Sequence, residues 1–131
     1  MPSKKYNVSV KAVLLIEGKI VLLKNERDEW ELPGGKLDDG EQPQDCVIRE
    51  IYEELSIEAV FLRMLDSWVY TIFKGVEVLI LTYAYQSNAK ISDVIYSSEH
   101  KELGFFGLKE ITGLNMPQGY KDSISRYTEV V

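Results

Sequence analysis

The stretch Gly35–Ile57 reads GKLDDGEQPQDCVIREIYEELSI and decides how this chain of 131 residues is interpreted. Proline lacks an N–H donor and is tolerated in a helix only in the first turn, so the sequence predicts a helix that begins near Gln42–Pro43 and ends near Leu55. A glycine precedes this helix, and charged residues recur at fixed spacings along the stretch. These residues are Gly35, Glu41, Arg49, Glu50, Glu53 and Glu54.

The predicted helix has an apolar face and an acidic face. Successive helical residues turn by roughly 100°, which separates the two groups of side chains. The apolar face holds Val47, Ile48, Ile51, Tyr52 and Leu55, and the acidic arc is Glu50, Glu53 and Glu54. Like charges at this spacing repel one another, and a single arginine, Arg49, cannot neutralise three acids. A hard cation with oxygen ligands would do so, and the acidic arc therefore predicts a Mg²⁺ site, with Mn²⁺ as a substitute.

The residues before the helix distinguish this arc from an ordinary solvated helix face. An isolated acidic arc is more often simply exposed. Here Trp30–Gly35 predicts a short strand that ends in a glycine turn, where bare backbone approaches its neighbours closely. The carbonyl of Gly34 or Gly35 is then a further candidate metal ligand, and the combination favours a functional metal site.

The complete pattern is Gly35-x5-Glu41-x7-Arg49-Glu50-Ile51-x-Glu53-Glu54-x-Ser56-Ile57, and it resembles the box of the Nudix hydrolases of the MutT-like kind. The resemblance implies an α/β (α+β) fold in which a mixed β-sheet lies between helices. It also implies metal-dependent hydrolysis of a diphosphate linkage in a nucleoside diphosphate derivative. A Nudix-fold ligand sensor without turnover is the alternative class, although such domains often lose glutamates that this chain keeps.

The resemblance assigns roles by position. Glu53 and Glu54 match the principal metal-binding glutamates, and Glu50 matches a third ligand or the residue that activates water. Which of the three is the general base stays open. Arg49 and Glu41 match positions with a structural role, and we expect them to pair and so hold the loop and the helix in register. Ser56 replaces the usual glycine, which suits a helix end with positive φ.

Further candidates lie outside the box. Members of the family often draw another metal-binding glutamate from a later loop, where Glu99 and Glu102 are the candidates. His100 is the only histidine, but Mg²⁺ prefers oxygen ligands, so we expect a loop residue. The basic side chains that are candidates for phosphate contacts are Lys36, Arg27 and Lys24. The candidates for contacts to a base or sugar are Tyr70, Phe73, Tyr83, Phe105 and Asn115.

Patterning predicts strands around the box helix and a helix near the end of the sequence. The predicted strands are Tyr6–Ile16, Ile20–Lys24, Ile57–Leu65, Trp68–Phe73 and Val76–Tyr85, and Pro117–Thr128 is the predicted helix.

Composition limits the function. A length of 131 residues with 45% hydrophobic content predicts one domain, residues 1–131. The net charge of −6 argues against a nucleic-acid polymer as partner, but a small nucleotide substrate bound with metal meets no such objection. The single cysteine, Cys46, excludes an internal disulfide, and without a secretory leader or membrane-spanning run we expect the cytoplasm and no membrane partner. We allow for a homodimer.

The substrate is the least determined property. Marker residues of the ADP-ribose and diadenosine-polyphosphate types are absent at the positions where the family places them, because no proline lies between Pro43 and Pro117 and positions 73–75 are Phe, Lys and Gly. A nucleoside triphosphate pyrophosphohydrolase is therefore favoured. A nucleotide-sugar or ADP-ribose pyrophosphatase is the alternative.

Overall fold

Apolar runs in the sequence form the strands of one mixed sheet, and two amphipathic segments form helices on its faces. The computed structural model describes residues 5–72, 75–96 and 102–128. The strands are β1 (Asn7–Ile16), β2 (Lys19–Lys24), β3 (Trp30–Glu31), β4 (Gly34–Lys36), β5 (Val60–Thr71), β6 (Glu77–Gln86) and β7 (Glu102–Phe106). The helices are α1 (Pro43–Leu55) and α2 (Gln118–Thr128), with 3₁₀ turns at Ile91–Asp93 and Leu108–Gly113.

Strand β1 lies in the middle of the sheet. It pairs with β6 in parallel and with β2 and β4 in antiparallel orientation, so its second edge is shared between two strands. Beyond these neighbours, β5 pairs with β6, while β3 and β7 pair with β2. The order β3-β2-β1-β6-β5 makes β5 an edge strand. A mixed sheet was expected from the sequence, and this prediction is confirmed.

The two helices pack on opposite faces of the sheet. Val10, Ala12 and Leu14 alternate along β1 toward α1, whose Val47 and Ile51 complete that layer. The intervening β1 residue Val13 faces the other layer, which contains Tyr120 and Ile124 of α2. The expected arrangement of a sheet between helices is therefore present, and both layers exclude water from their centres.

The structure corrects two local predictions. Segments Ile57–Leu65 and Trp68–Phe73 were expected as separate strands, but β5 continues from Val60 to Thr71 because register shifts between Phe61 and Arg63 and between Met64 and Asp66 absorb the irregularity. Phe73 lies outside the described residues. The expected glycine turn after Trp30–Glu31 is a strand, β4, paired with β1.

Helix α1 has the bounds that its sequence predicts. Pro43 occupies the first turn, and the helix ends at Ser56, which adopts the left-handed conformation (φ 58°, ψ 32°). The amide of Ser56 donates to the Tyr52 carbonyl at 2.9 Å. Within the described ranges, neither helix is long and apolar enough to span a membrane.

Candidate active site

The acidic arc lies where α1 packs against the glycine strand β4. A methyl group on Gly35 would come within 2.7 Å of the Glu50 carboxyl group, so only glycine leaves that carboxylate in its position. The close backbone approach that the sequence predicted is thus present, although a strand provides it. Gly35 and Glu50, both candidate metal ligands, are brought together.

Glu54 is held by the neighbouring glycine. The Gly34 amide donates to Glu54 Oε1 at 2.8 Å, and only 5% of Glu54 is exposed. Gly34 has φ +142°, which disfavours a side chain, and a methyl group there would overlap the Val10 carbonyl oxygen. Burial of an acid is costly unless hydrogen bonds and charges compensate it, so the β4 backbone fixes the position of this carboxylate.

Arg49 forms ion pairs with several acids on the solvent-exposed side of α1. Its Nε and one Nη donate to the two Glu41 oxygens at 2.7 and 3.0 Å, which confirms the predicted structural pair. The other Nη donates to Glu50 at 3.0 Å and to Glu53 at 3.2 Å. Hydrogen bonds from Arg49 lower the pKa of Glu41 to about 2, and the bond to Glu41 raises the pKa of Arg49.

Lys11 is a charged residue near the site that our sequence analysis missed. It lies in β1, directly opposite Gly34 in the β1–β4 register, and it is buried. Burial works to lower the pKa of Lys11, but Tyr120 and the carboxylates of Glu31, Glu54 and Glu50 raise it above its ordinary value. A lone lysine inside the apolar run of β1 is the signal that would have identified it.

Two of the basic residues that were predicted to contact phosphate lie in different surroundings. Lys36 is the last residue of β4, and its side chain is exposed. Arg27 forms ion pairs with Glu26 and Glu29, each at 3.0 Å. Its described partners thus lie in its own loop and not on α1.

The remaining polar candidates lie on strands or outside the described residues. Lys24 Nζ lies 3.8 Å from Glu102 and 4.8 Å from the centre of the Trp30 ring. Glu102 belongs to β7, where it pairs with Lys24, and not to the loop from which we expected it to act. Glu99 and His100 lie outside the described residues.

The aromatic candidates that the structure describes do not form one pocket. Tyr70 packs on the α2 face, with its ring centre 6.5 Å from that of Tyr120, whereas Tyr83 and Phe105 belong to the α1 layer. Asn115 donates from its side chain to the Asp28 carbonyl at 3.0 Å. The sheet separates these side chains, so they do not line a single base-binding site.

One feature of the α1 wheel differs from expectation. Tyr52 was placed on the apolar face, but 62% of it is exposed. Cys46 is packed in the core of the α1 layer. The Cys46 thiol donates to the Lys36 carbonyl at 3.4 Å, which ties α1 to β4. Burial, with a contribution from Glu41, raises the pKa of this thiol to about 12.

The donor set suits a hard divalent cation more than any other metal. Among the described residues no three acidic, histidine or cysteine side chains are gathered closely enough to enclose an ion. Instead, the Arg49 guanidinium lies between Glu50 and Glu53, and any cation on these two carboxylates would compete with it. Carboxylate oxygens are the donors that hard divalent cations prefer, and Gly35 leaves room for the Glu50 carboxylate among them.

Two relatives of known family resemble this chain in sequence. An uncharacterized Nudix hydrolase of Bacillus subtilis is 28% identical over 110 residues, which covers 82% of this chain and 70% of that protein. An 8-oxo-dGTP diphosphatase of Proteus vulgaris is 45% identical over 38 residues, 29% of this chain and 34% of that protein. The match to the second relative thus spans about a third of its length.

A structural comparison and a family model agree with these relatives. The crystal structure of the MutT protein from Methanosarcina mazei Go1 superposes with a TM-score of 0.78 at 26% identity, covering 98% of this chain and 96% of that one. The family model for the NUDIX domain matches residues 5–127. This chain therefore belongs to the Nudix hydrolase family.

Proposed function

We propose that this protein is a Mg²⁺-dependent pyrophosphohydrolase that cleaves the diphosphate linkage of a nucleoside diphosphate derivative. A nucleoside triphosphate is the preferred candidate substrate. The observation that carries the proposal is the contact of the acidic arc with β4, where Gly35 leaves room for Glu50 and the Gly34 amide fixes Glu54. Packing alone does not require this arrangement, because an acid without compensating contacts is destabilising when buried.

Nudix hydrolases generally use divalent metal ions. We assign Glu50, Glu53, Glu54 and the Gly35 carbonyl as the groups that would hold Mg²⁺, with Mn²⁺ as a substitute. When bound, the ion neutralises phosphate charge and orients the water for in-line attack. Glu99, which lies outside the described residues, stays a predicted additional ligand.

The protein groups have separate tasks in this proposal. One of the three arc glutamates accepts the proton of the attacking water. Lys36, exposed at the end of β4, is the preferred phosphate contact. Arg27 is a weaker candidate because Glu26 and Glu29 already bind its guanidinium.

The choice of a nucleoside triphosphate rests on two observations. The similarity to the 8-oxo-dGTP diphosphatase of Proteus vulgaris covers residues of one short segment, and the marker residues of the ADP-ribose type are missing from the sequence. A nucleotide sugar or ADP-ribose is the second candidate substrate. The cytoplasmic location and the homodimer stay predictions from the sequence.

A substrate panel tests the proposal. Purified protein is incubated with nucleoside triphosphates, oxidised nucleotides, nucleotide sugars, ADP-ribose and dinucleoside polyphosphates, with Mg²⁺, Mn²⁺ or EDTA, and nucleoside monophosphate release is measured by chromatography. We expect turnover that EDTA abolishes and that Glu53→Gln lowers by about 10² or more. Glu58→Gln, which removes an exposed acid just beyond α1, is the control and should keep activity.

Two results would contradict the proposal. Full activity of Glu53→Gln would remove this glutamate from the site. Absence of turnover across the panel, with retained nucleotide binding by calorimetry, would instead favour a ligand sensor.

A further inference from the structure

Arg49 is shared between two groups of acids. Its Nε and one Nη donate to Glu41 at 2.7 and 3.0 Å, and the same Nη lies 3.2 Å from an oxygen of Asp38. Its other Nη donates to Glu50 at 3.0 Å and to Glu53 at 3.2 Å. We call Asp38 and Glu41 the loop acids, to distinguish them from the acidic arc of α1. One guanidinium group thus connects the loop acids to the arc.

The loop acids are held in place by their own turn. The Asp38 amide donates to the Glu41 carboxylate at 3.3 Å, and the Glu41 amide donates to the Asp38 carbonyl at 3.2 Å. The Glu41 side chain is 16% exposed, whereas the Asp38 side chain is 69% exposed. The turn therefore presents two carboxylates to one end of the guanidinium group, one of them largely buried and the other at the surface.

The rigid shape of the guanidinium group links its two ends. Its N–H donors lie in one plane at fixed angles, so the direction of Nε and one Nη determines where the other Nη points. The loop end has the shortest contact, 2.7 Å, while the contacts at the arc end are 3.0 to 3.3 Å long. The bonds to Asp38 and Glu41 therefore limit how closely Arg49 can approach Glu53, whose side chain is exposed.

The arc end of Arg49 contacts the oxygens that a divalent cation would use. One Nη lies within 3.3 Å of both Glu53 oxygens and 3.0 Å from Glu50 Oε1. Two positive charges on the same carboxylates repel each other, so a cation has to displace this Nη or bind beside it at a cost. How strongly Arg49 competes then depends on how firmly its other end is held.

We propose that Asp38 is a positioning residue that, together with Glu41, holds Arg49 on the loop side and so limits its competition with a divalent cation for Glu50 and Glu53. The inference rests on the proposed function, because it concerns the same metal site. Asp38 acts through the guanidinium group, and the loop before α1 thereby sets the affinity of the site for the cation.

Mn²⁺ binding in the absence of substrate tests the role of Asp38. Free Mn²⁺ is measured by electron paramagnetic resonance during titration of the unmodified protein, Asp38→Asn and Asp39→Asn. Asp39→Asn is the matched control, because it removes the same charge from the same loop and none of the described ion pairs of Arg49 involves Asp39. We expect Asp38→Asn to weaken Mn²⁺ binding about 2- to 5-fold more than the control does, as befits an exposed ion pair.

A double-mutant cycle tests whether Asp38 acts through Arg49. Arg49→Gln removes the competitor and should strengthen Mn²⁺ binding by about 2-fold or more. In the Arg49→Gln background, Asp38→Asn and Asp39→Asn should weaken binding equally. A merely structural role of Asp38 would lower Tm, but it would not make the effect on Mn²⁺ affinity depend on Arg49. If Arg49→Gln does not fold, Arg49→Lys gives the same cycle, because a single ammonium group cannot hold both ends.

Two results would overturn the inference and leave the proposed function intact. One is Mn²⁺ binding that Asp38→Asn weakens no more than Asp39→Asn does. The other is a difference between these two variants that is the same with and without Arg49. Absence of Mn²⁺ binding, both in the unmodified protein and in Arg49→Gln, would instead overturn the metal site of the proposed function and this inference with it.

Discussion

Arg49 binds Glu41 through two parallel hydrogen bonds, 2.7 Å from Nε and 3.0 Å from an Nη, and so connects α1 to the loop that precedes it. This planar pairing is geometrically specific, because the guanidinium fork matches both carboxylate oxygens. Glu41 also accepts from the Asp38 amide at 3.3 Å. The loop after β4 is therefore fastened to the same arginine that contacts the acidic arc.

The Glu41 pair predicts a loss of stability in acid. Arg49 lowers the pKa of Glu41 from 4.5 to about 2 in the folded protein, so folding favours the ionised form. This contribution to stability is complete above pH 4.5 and is lost as the pH falls toward 2. Glu41→Gln should flatten the decline of unfolding free energy between pH 4.5 and 2, as measured by urea titration. Asp39→Asn, at an exposed position in the same loop, is the control; an unchanged slope in Glu41→Gln would contradict the assignment.

Gly35→Ala should lower activity much more than it lowers stability. The added methyl group would meet the end of the Glu50 side chain at 2.7 Å, and this flexible group can move away at little cost to the fold. We expect Tm to fall by no more than a few degrees. If Glu50 acts in the proposed site, kcat should fall by about 10-fold or more, because a small displacement of a catalytic group is costly. Gly113→Ala, which has open space around the added group, should change neither. Normal kcat in Gly35→Ala would show that Glu50 needs no fixed position.

Ser56→Gly should stabilise the protein. Ser56 has φ 58° at the end of α1, a conformation that is costly for residues with a Cβ and free for glycine. We expect a gain of about 0.5–1 kcal/mol in the free energy of unfolding, after the greater flexibility of glycine in the unfolded chain is subtracted. Ser67→Gly, in the exposed part of β5, should instead lose stability. Equal effects of the two substitutions would contradict this interpretation.

Cys46 should resist thiol reagents in the folded protein. Its side chain is inaccessible, and burial raises its pKa to about 12, so the reactive thiolate is scarce at neutral pH. Reaction with Ellman's reagent at pH 8 should be negligible until urea unfolds the protein, when one thiol per chain becomes reactive. Rapid labelling under native conditions would show that α1 separates readily from β4.

Local signals in the sequence predicted α1 well. Pro43 can occupy only the first turn, so the start of the helix follows from a residue at its own end. The pairing of Arg49 with Glu41 was also predictable from the family pattern. These features depend on contacts between residues close in the sequence.

Features that depend on long-range packing were predicted less well. Tyr52 lies on the edge of the apolar arc, and only the extent of the sheet determines that it stays exposed. The two glycines were taken for a turn because pairing of β4 with β1 joins residues about two dozen positions apart. The lone lysine in the apolar part of β1 was a local signal for Lys11, but the groups around it come from three other elements, so its surroundings could not be predicted from nearby residues.

The central position of β1 also affects how the protein folds. Its parallel pairing with β6 runs from Asn7 opposite Val78 to Leu15 opposite Gln86, so the chain must close a loop of about 70 residues to form it. Such non-local contacts form slowly and late, since the entropy of loop closure is lost before the contacts compensate for it. Because β1 also aligns β4 beneath α1, the acidic arc is expected to gain its final geometry only in the last, cooperative step of folding. A peptide spanning only Gly35–Ile57 would then form some helix but not the site.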